Sequence, residues 1–139
     1  MSLKSMTRWL VLLGCLSQAA AMGAEQELRF RPGTSEALFE GAVLRGERDH
    51  HVFRAKAQQQ LTVRISSAED NAVFAIYRPG YRKVTNDGIQ EIRGQALPGA
   101  TEDKEVTSWR GVLPESGKYL ILVAGTRGNA EYKLQVRID

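Results

Sequence analysis

Cysteine is almost absent: Cys15 is the only one in 139 residues. It lies in an amino-terminal stretch that reads as an export signal, with Lys4 and Arg8 ahead of the short apolar run Trp9 to Leu16 and the small-residue stretch Ala19 to Ala24 behind it. Residues 25–139 therefore have no disulfide, no thiol nucleophile and no cysteine metal site. Long apolar runs are missing too. Eight residues from Trp9 to Leu16 fall well short of the roughly 20 that span a bilayer core, and no later segment is longer. An excess of one charge is also lacking. The full chain carries +3; without Lys4 and Arg8, 17 basic residues face 16 acidic ones, a net charge of +1. So balanced a surface argues against nucleic acid as a partner.

Catalytic patterns are equally scarce. There is no His-Glu-x-x-His and no Gly-x-Ser-x-Gly. His50 and His51 are neighbours, so in a strand they face opposite sides and cannot chelate one metal together; they read as one surface and one edge histidine. Asp49, Asp70, Asp87 and Asp103 fall in turns without the ligand alternation of a calcium loop. Arg78-Pro-Gly-Tyr-Arg-Lys83 reads as a solvated basic turn. Neither a cofactor nor a metal is expected, and the chain is not expected to be an enzyme.

What is present is short strands separated by turn clusters, the pattern of an all-β protein. Leu28–Phe30 and Ala37–Leu44 are the first two expected strands, and His51, Phe53 and Ala55 alternate in a third. Leu61, Val63 and Ile65 share one face of a fourth. Val73–Tyr77 is apolar on both faces and is expected to be a central strand. Residues 78–105 are the least regular, a candidate functional or mobile connection, with one short strand or turn near Ile89 and Ile92. Regularity returns at 106–113, with Trp109 as the large anchor. Tyr119–Ala124 follows, and then a last strand in which Tyr132, Leu134, Val136 and Ile138 share a face opposite Lys133, Gln135 and Arg137. The expectation is a signal peptide at 1–24 and a single domain at 25–139, an antiparallel β-sandwich of about eight strands.

With little chemistry to assign, function is expected in a surface loop. Leu113-Pro-Glu-Ser-Gly-Lys-Tyr-Leu-Ile-Leu-Val123 runs from a tight polar turn into an apolar strand. Pro114 fixes φ and Gly117 permits a backbone other residues avoid. Such a turn is equally the corner of a sandwich, with Tyr119 packed inside.

Residues 30–66, then an apolar strand ending in Pro79-Gly80, then Gly111–Val136, resemble two related groups. One is the bacterial pre-peptidase C-terminal domain, a β-sandwich often appended to secreted proteases. The other comprises small stand-alone periplasmic inhibitors of g-type and i-type lysozymes. The landmarks are Gly41, Phe53-Arg-Ala-Lys56, Gly111, Leu113-Pro114, Ser116-Gly117, Tyr119, Thr126-Arg127 and Tyr132. The inhibitor resemblance implies a partner-binding loop of Ser116, Gly117, Lys118 and Tyr119 entering a lysozyme's catalytic cleft, with a second loop beside it at Arg127. The partner it implies is a g-type or i-type lysozyme, and the location the periplasm. The second loop, Gly125–Asn129, is shorter and less basic than in such inhibitors, and the 80–105 connection is longer. The other resemblance implies a stand-alone module binding glycan or envelope components. Two further alternatives stay open: lipid anchoring through Cys15, and pairing of two copies through an edge strand.

Overall fold

The structure, a computed structural model, describes residues 25–139. The expected export signal, and Cys15 within it, lie outside the described residues. Ten strands follow one another: β1 (Glu25–Glu27), β2 (Glu36–Val43), β3 (Arg48–Ala55), β4 (Gln60–Ser66), β5 (Ala72–Tyr77), β6 (Arg82–Asn86), β7 (Ile89–Arg93), β8 (Ser108–Val112), β9 (Gly117–Gly125) and β10 (Ala130–Ile138). Eight of them form a sandwich of two four-stranded sheets, ordered β1-β3-β9-β5 and β2-β10-β4-β8, while β6 and β7 form a separate hairpin. All pairings are antiparallel except β1 with β3.

The alternation in the sequence becomes the sandwich. On β10, Ala130, Tyr132, Leu134 and Val136 are buried, and Glu131, Lys133, Gln135 and Arg137 are exposed. On β4, Leu61, Val63 and Ile65 enter the same core, where Phe53, Phe74, Ile121 and Val123 meet them from the other sheet. Side chains that alternate this way bury about 25 cal/mol for each Å² of apolar surface removed from water. Trp109, expected as an anchor, is only half-buried. Its ring lies over Gly111, and its indole N–H donates to Pro98 O at 2.9 Å.

Three expectations change. The first strand is Glu25–Glu27, because Leu28 turns into the core and its amide makes the last bond to β3, donating to Val52 O at 2.9 Å. β5 is an edge strand, not a central one. Its continuous apolar run has another cause. Phe74 and Ile76 join the main core, while Ala75 and Tyr77 pack on the outer face with Val52, Leu120 and Leu122, under Tyr81, Ile92 and Ala96. Its free edge is capped by the chain between 95 and 106: Phe74 N donates to Val106 O, Ile76 N to Ala100 O, and Leu97 N to Ile76 O, all within 2.9 Å. Third, the irregular connection holds a two-stranded hairpin rather than one short strand. Asp87 (φ 49°) and Gly88 (φ 77°) both take the left-handed backbone of a tight hairpin turn.

Candidate functional site

The loop from Pro114 to Lys118 sits at one end of the sandwich, between β8 and β9. It is held at several points. Leu113 is buried and bonded on both sides to the β3–β4 turn: its amide donates to Gln59 O at 2.8 Å, and its carbonyl accepts from Gln58 N at 2.9 Å. Ser116 Oγ accepts from Ala57 N at 2.8 Å, tying the loop tip to the same turn. Arg78 Nε donates to Glu115 Oε1 at 2.9 Å. Gly117 has φ 146°, and a Cβ there would lie 2.9 Å from the Pro79 ring. Any side chain would therefore meet both backbone strain and a clash.

Tyr119, expected to offer its hydroxyl to a partner, is instead a core residue with no exposed surface. Its ring stacks on Phe53 at 5.4 Å between centroids. Its hydroxyl donates back to Glu115 O at 2.5 Å and so closes the loop on itself. Strand alternation from Gly117 points this residue inward, and the hydroxyl of a buried tyrosine must find an acceptor. Burial raises the Tyr119 pKa, opposed by the Glu115 amide, whose N–H donates to the same oxygen at 3.4 Å.

Lys118 lies on the outer face. Its ammonium donates to Glu25 Oε2 at 2.6 Å. The same carboxylate accepts from the Tyr81 hydroxyl at 3.0 Å and lies 3.6 Å from Lys83 Nζ. Burial pushes the Glu25 pKa up, but Lys118, Tyr81 and Lys83 outweigh it and hold the carboxyl below its ordinary value.

Arg127 does not join this site. It follows β9 at the far end from Gly117, and the nine residues of β9 at about 3.3 Å each hold the two roughly 25 Å apart. There its guanidinium donates to Glu69 O at 2.7 Å, and Asn71 Nδ2 donates to Asn129 O at 3.0 Å, tying the turn to its neighbour. The sequence carried the signal for this: the expected strand Tyr119–Ala124 lies between the two loops, so its extended length puts them at opposite ends.

Both histidines are buried, not at a surface or edge as expected. His51 lies between the sheets, against Phe39 at 4.4 Å between ring centroids. The Tyr132 hydroxyl donates to Asp49 Oδ2 at 2.6 Å and so accepts from His51 Nε2 at 2.7 Å, which places the ring proton on Nε2. Nδ1 has no hydrogen-bond partner among the described residues. Burial, with a small contribution from His50, pushes the His51 pKa down to about 4. His50 points to the outer face, and burial, then Lys83, lower its pKa as well. His51 is a neutral core residue.

No family model and no curated protein matches the chain. Solved structures do. Over 84% of this chain and 96% of the other, the fold is that of Aeromonas hydrophila PliG, a periplasmic lysozyme inhibitor of g-type lysozyme, with a TM-score of 0.62 and 29% identity. A mutant of the Escherichia coli PliG (TM-score 0.58, 24% identity, 83% of this chain and 97% of that one) has the same fold. So does the Salmonella Typhimurium PliG (TM-score 0.58, 22% identity, 84% and 99%). This chain is thus an all-β sandwich that resembles, over nearly the whole of its described length, the periplasmic inhibitors of g-type lysozyme.

Proposed function

We propose that this chain is a periplasmic inhibitor of g-type lysozyme, acting by stoichiometric binding and not by catalysis. The observation that carries this reading is the match to the Aeromonas hydrophila inhibitor, which extends over 96% of that protein at 29% identity. The Aeromonas hydrophila relative inhibits g-type lysozyme, and this favours the g-type over the i-type enzyme as the target.

The blocking element is the loop Pro114–Lys118. Ser116 is exposed, and its Oγ uses a lone pair to accept from Ala57 N, which leaves its O–H free to donate outward. A glycosidase cleft presents carboxylates and polar sugar subsites, and a hydroxyl donor backed by the Lys118 ammonium suits them. Gly117 keeps the loop narrow. Tyr119 acts from behind as a positioning residue, since its hydroxyl is spent on Glu115. A loop fixed at this many points loses little conformational freedom on binding.

The test is turbidity clearing of a bacterial cell-wall suspension by c-, g- and i-type lysozymes, each with and without micromolar protein. Slowing of the g-type enzyme alone is the expected result. If none is slowed, the chain is a module binding glycan or envelope components instead. Export is tested by intact mass: loss of about 23 or 24 residues without lipid is expected on the signal-peptide pattern, and a lipid on Cys15 would replace the soluble periplasmic location with an anchored one.

A further inference from the structure

Beside the loop, β3 is left incomplete by its own sheet. β1 pairs with β3 only as far as Val52, and Val52 O accepts from Leu28 N at 2.9 Å. The backbone groups of Val52 therefore face β1. Two residues on, those of Arg54 face the same way, away from β9, and among the described residues no strand lies there to meet them.

The side chains at this end add to the imbalance. Arg54 stands directly opposite Lys118 in the β3–β9 register. With the Arg54 backbone groups turned from β9, this is a non-hydrogen-bonded pair, the kind that brings side chains closest. Like charges so placed repel. Lys118 is compensated by Glu25 at 2.6 Å. Arg54 and exposed Lys56 form no ion pair among the described residues. Lys56 begins the same turn whose Ala57 amide holds Ser116. A shallow groove of about 250 Å³ runs along the open edge, lined by Arg54, Lys118, Glu25 and Glu27.

We propose that this open end of β3, centred on Arg54 with Lys56 beside it, is a second partner-binding surface continuous with the Ser116 loop, and that it takes a carboxylate-bearing extended segment of the partner. The proposal rests on the inhibitor reading for the identity of that partner, a g-type lysozyme. A carboxylate placed here relieves the Arg54–Lys118 repulsion, and an extended segment meets the free backbone groups of Arg54. Together the loop and this edge make one continuous face, with a hydroxyl donor at its tip and uncompensated cations on its flank.

The test has two arms. In the first, the parent chain and the variant Arg54→Glu/Lys56→Glu are compared as inhibitors of a g-type lysozyme at low and high salt, after circular dichroism shows both folded. The reversal is expected to raise the inhibition constant at least tenfold at low salt and by less at high salt. In the second arm, a tetraglutamate peptide is titrated into the isotope-labelled parent chain. Amide shifts at Arg54, Lys56 and Ser116 are expected in the parent, and none in a charge-neutral Arg54→Gln/Lys56→Gln variant. If the parent inhibits and the reversed variant inhibits equally well, this surface is refuted and the inhibitor reading stands. If the parent inhibits no lysozyme, the inhibitor reading fails; the peptide arm then decides the acidic-segment site alone, and unmoved amides overturn it.

Discussion

His51 gives the chain a calculable dependence on acidity. The ring is wholly buried and carries one proton, on Nε2, toward the Tyr132 hydroxyl. A second proton would go on Nδ1, which has no partner among the described residues, so the charge would be created in apolar surroundings. The folded-state pKa is about 4 against an ordinary value of 6.5. The unfolded chain therefore binds more protons than the folded one between those values, and stability falls as pH drops through that window. Each pH unit of separation is worth about 1.4 kcal/mol. The full loss is on the order of 3 kcal/mol below pH 4, and about 2 kcal/mol is already lost between pH 7 and pH 5. His50, also depressed by burial, acts in the same direction. The perturbation is His51→Phe, which keeps an aromatic ring beside Phe39 and leaves Tyr132 still donating to Asp49. Urea unfolding at pH 7 and pH 5 measures the difference for each protein. The variant should lose about 2 kcal/mol less than the parent over that interval. Equal losses in the two proteins would refute the assignment of His51 as a neutral core group.

Four further outcomes follow from the same contacts. Tyr119→Phe removes the hydroxyl that closes the loop on Glu115 O, so it should cost about 1–3 kcal/mol in chemical denaturation and weaken lysozyme inhibition through a looser loop; an unchanged midpoint would show that bond to be dispensable. Ser116→Ala deletes the acceptor of Ala57 N, with a stability loss of about 1 kcal/mol and at least a tenfold rise in inhibition constant. Arg127→Ala, at the opposite end of β9, should leave the inhibition constant within about twofold, and a larger rise would place that end in the interface. Val63→Ala should cost on the order of 2 kcal/mol through lost burial and a cavity, whereas Lys133→Ala, on the exposed face of β10, should stay within about 0.5 kcal/mol; similar small losses for both would mean the strand phase is misassigned.

The fold class was legible because period-two alternation is a local signal. The faces of β4 and β10 follow directly from Leu61-Thr-Val-Arg-Ile65 and Tyr132–Ile138. Val73–Tyr77 misled because burial on both faces does not require a central position: a hairpin lid and a capping segment bury an edge strand as thoroughly. The hairpin itself had a signal in Asp87-Gly88, a pair that favours a tight two-residue turn, but its flanking strands are mostly exposed and carry little apolar pattern. The candidate site was half legible. Ser116 and Gly117 stand out as turn residues, and Lys118 follows. The inward face of Tyr119 and the pairing of Arg54 with Lys118 depend on strand phase and register, which a single sequence leaves open, whereas the distance to Arg127 follows from the length of the strand between the two loops.

The two outer faces of the sandwich are finished differently, and the difference bears on how the protein behaves in concentrated solution. The β2-β10-β4-β8 face is studded with charge and needs no cover: Glu40 sits 3.6 Å from Lys133, and Glu36 3.4 Å from Arg137. The other face holds Val52, Ala75, Tyr77, Leu120 and Leu122, and it is kept from water by Tyr81, Ile92 and Ala96. Bare, those five residues would form a contiguous sticky patch of the kind that drives self-association. Ile92 of the hairpin, with Tyr81 and Ala96 at its base, therefore serves as a colloidal guard as well as packing. A chain shortened across residues 82–93 would keep both sheets, which do not use that segment for hydrogen bonding, but would lose Ile92 from the cover and should self-associate more readily at high concentration.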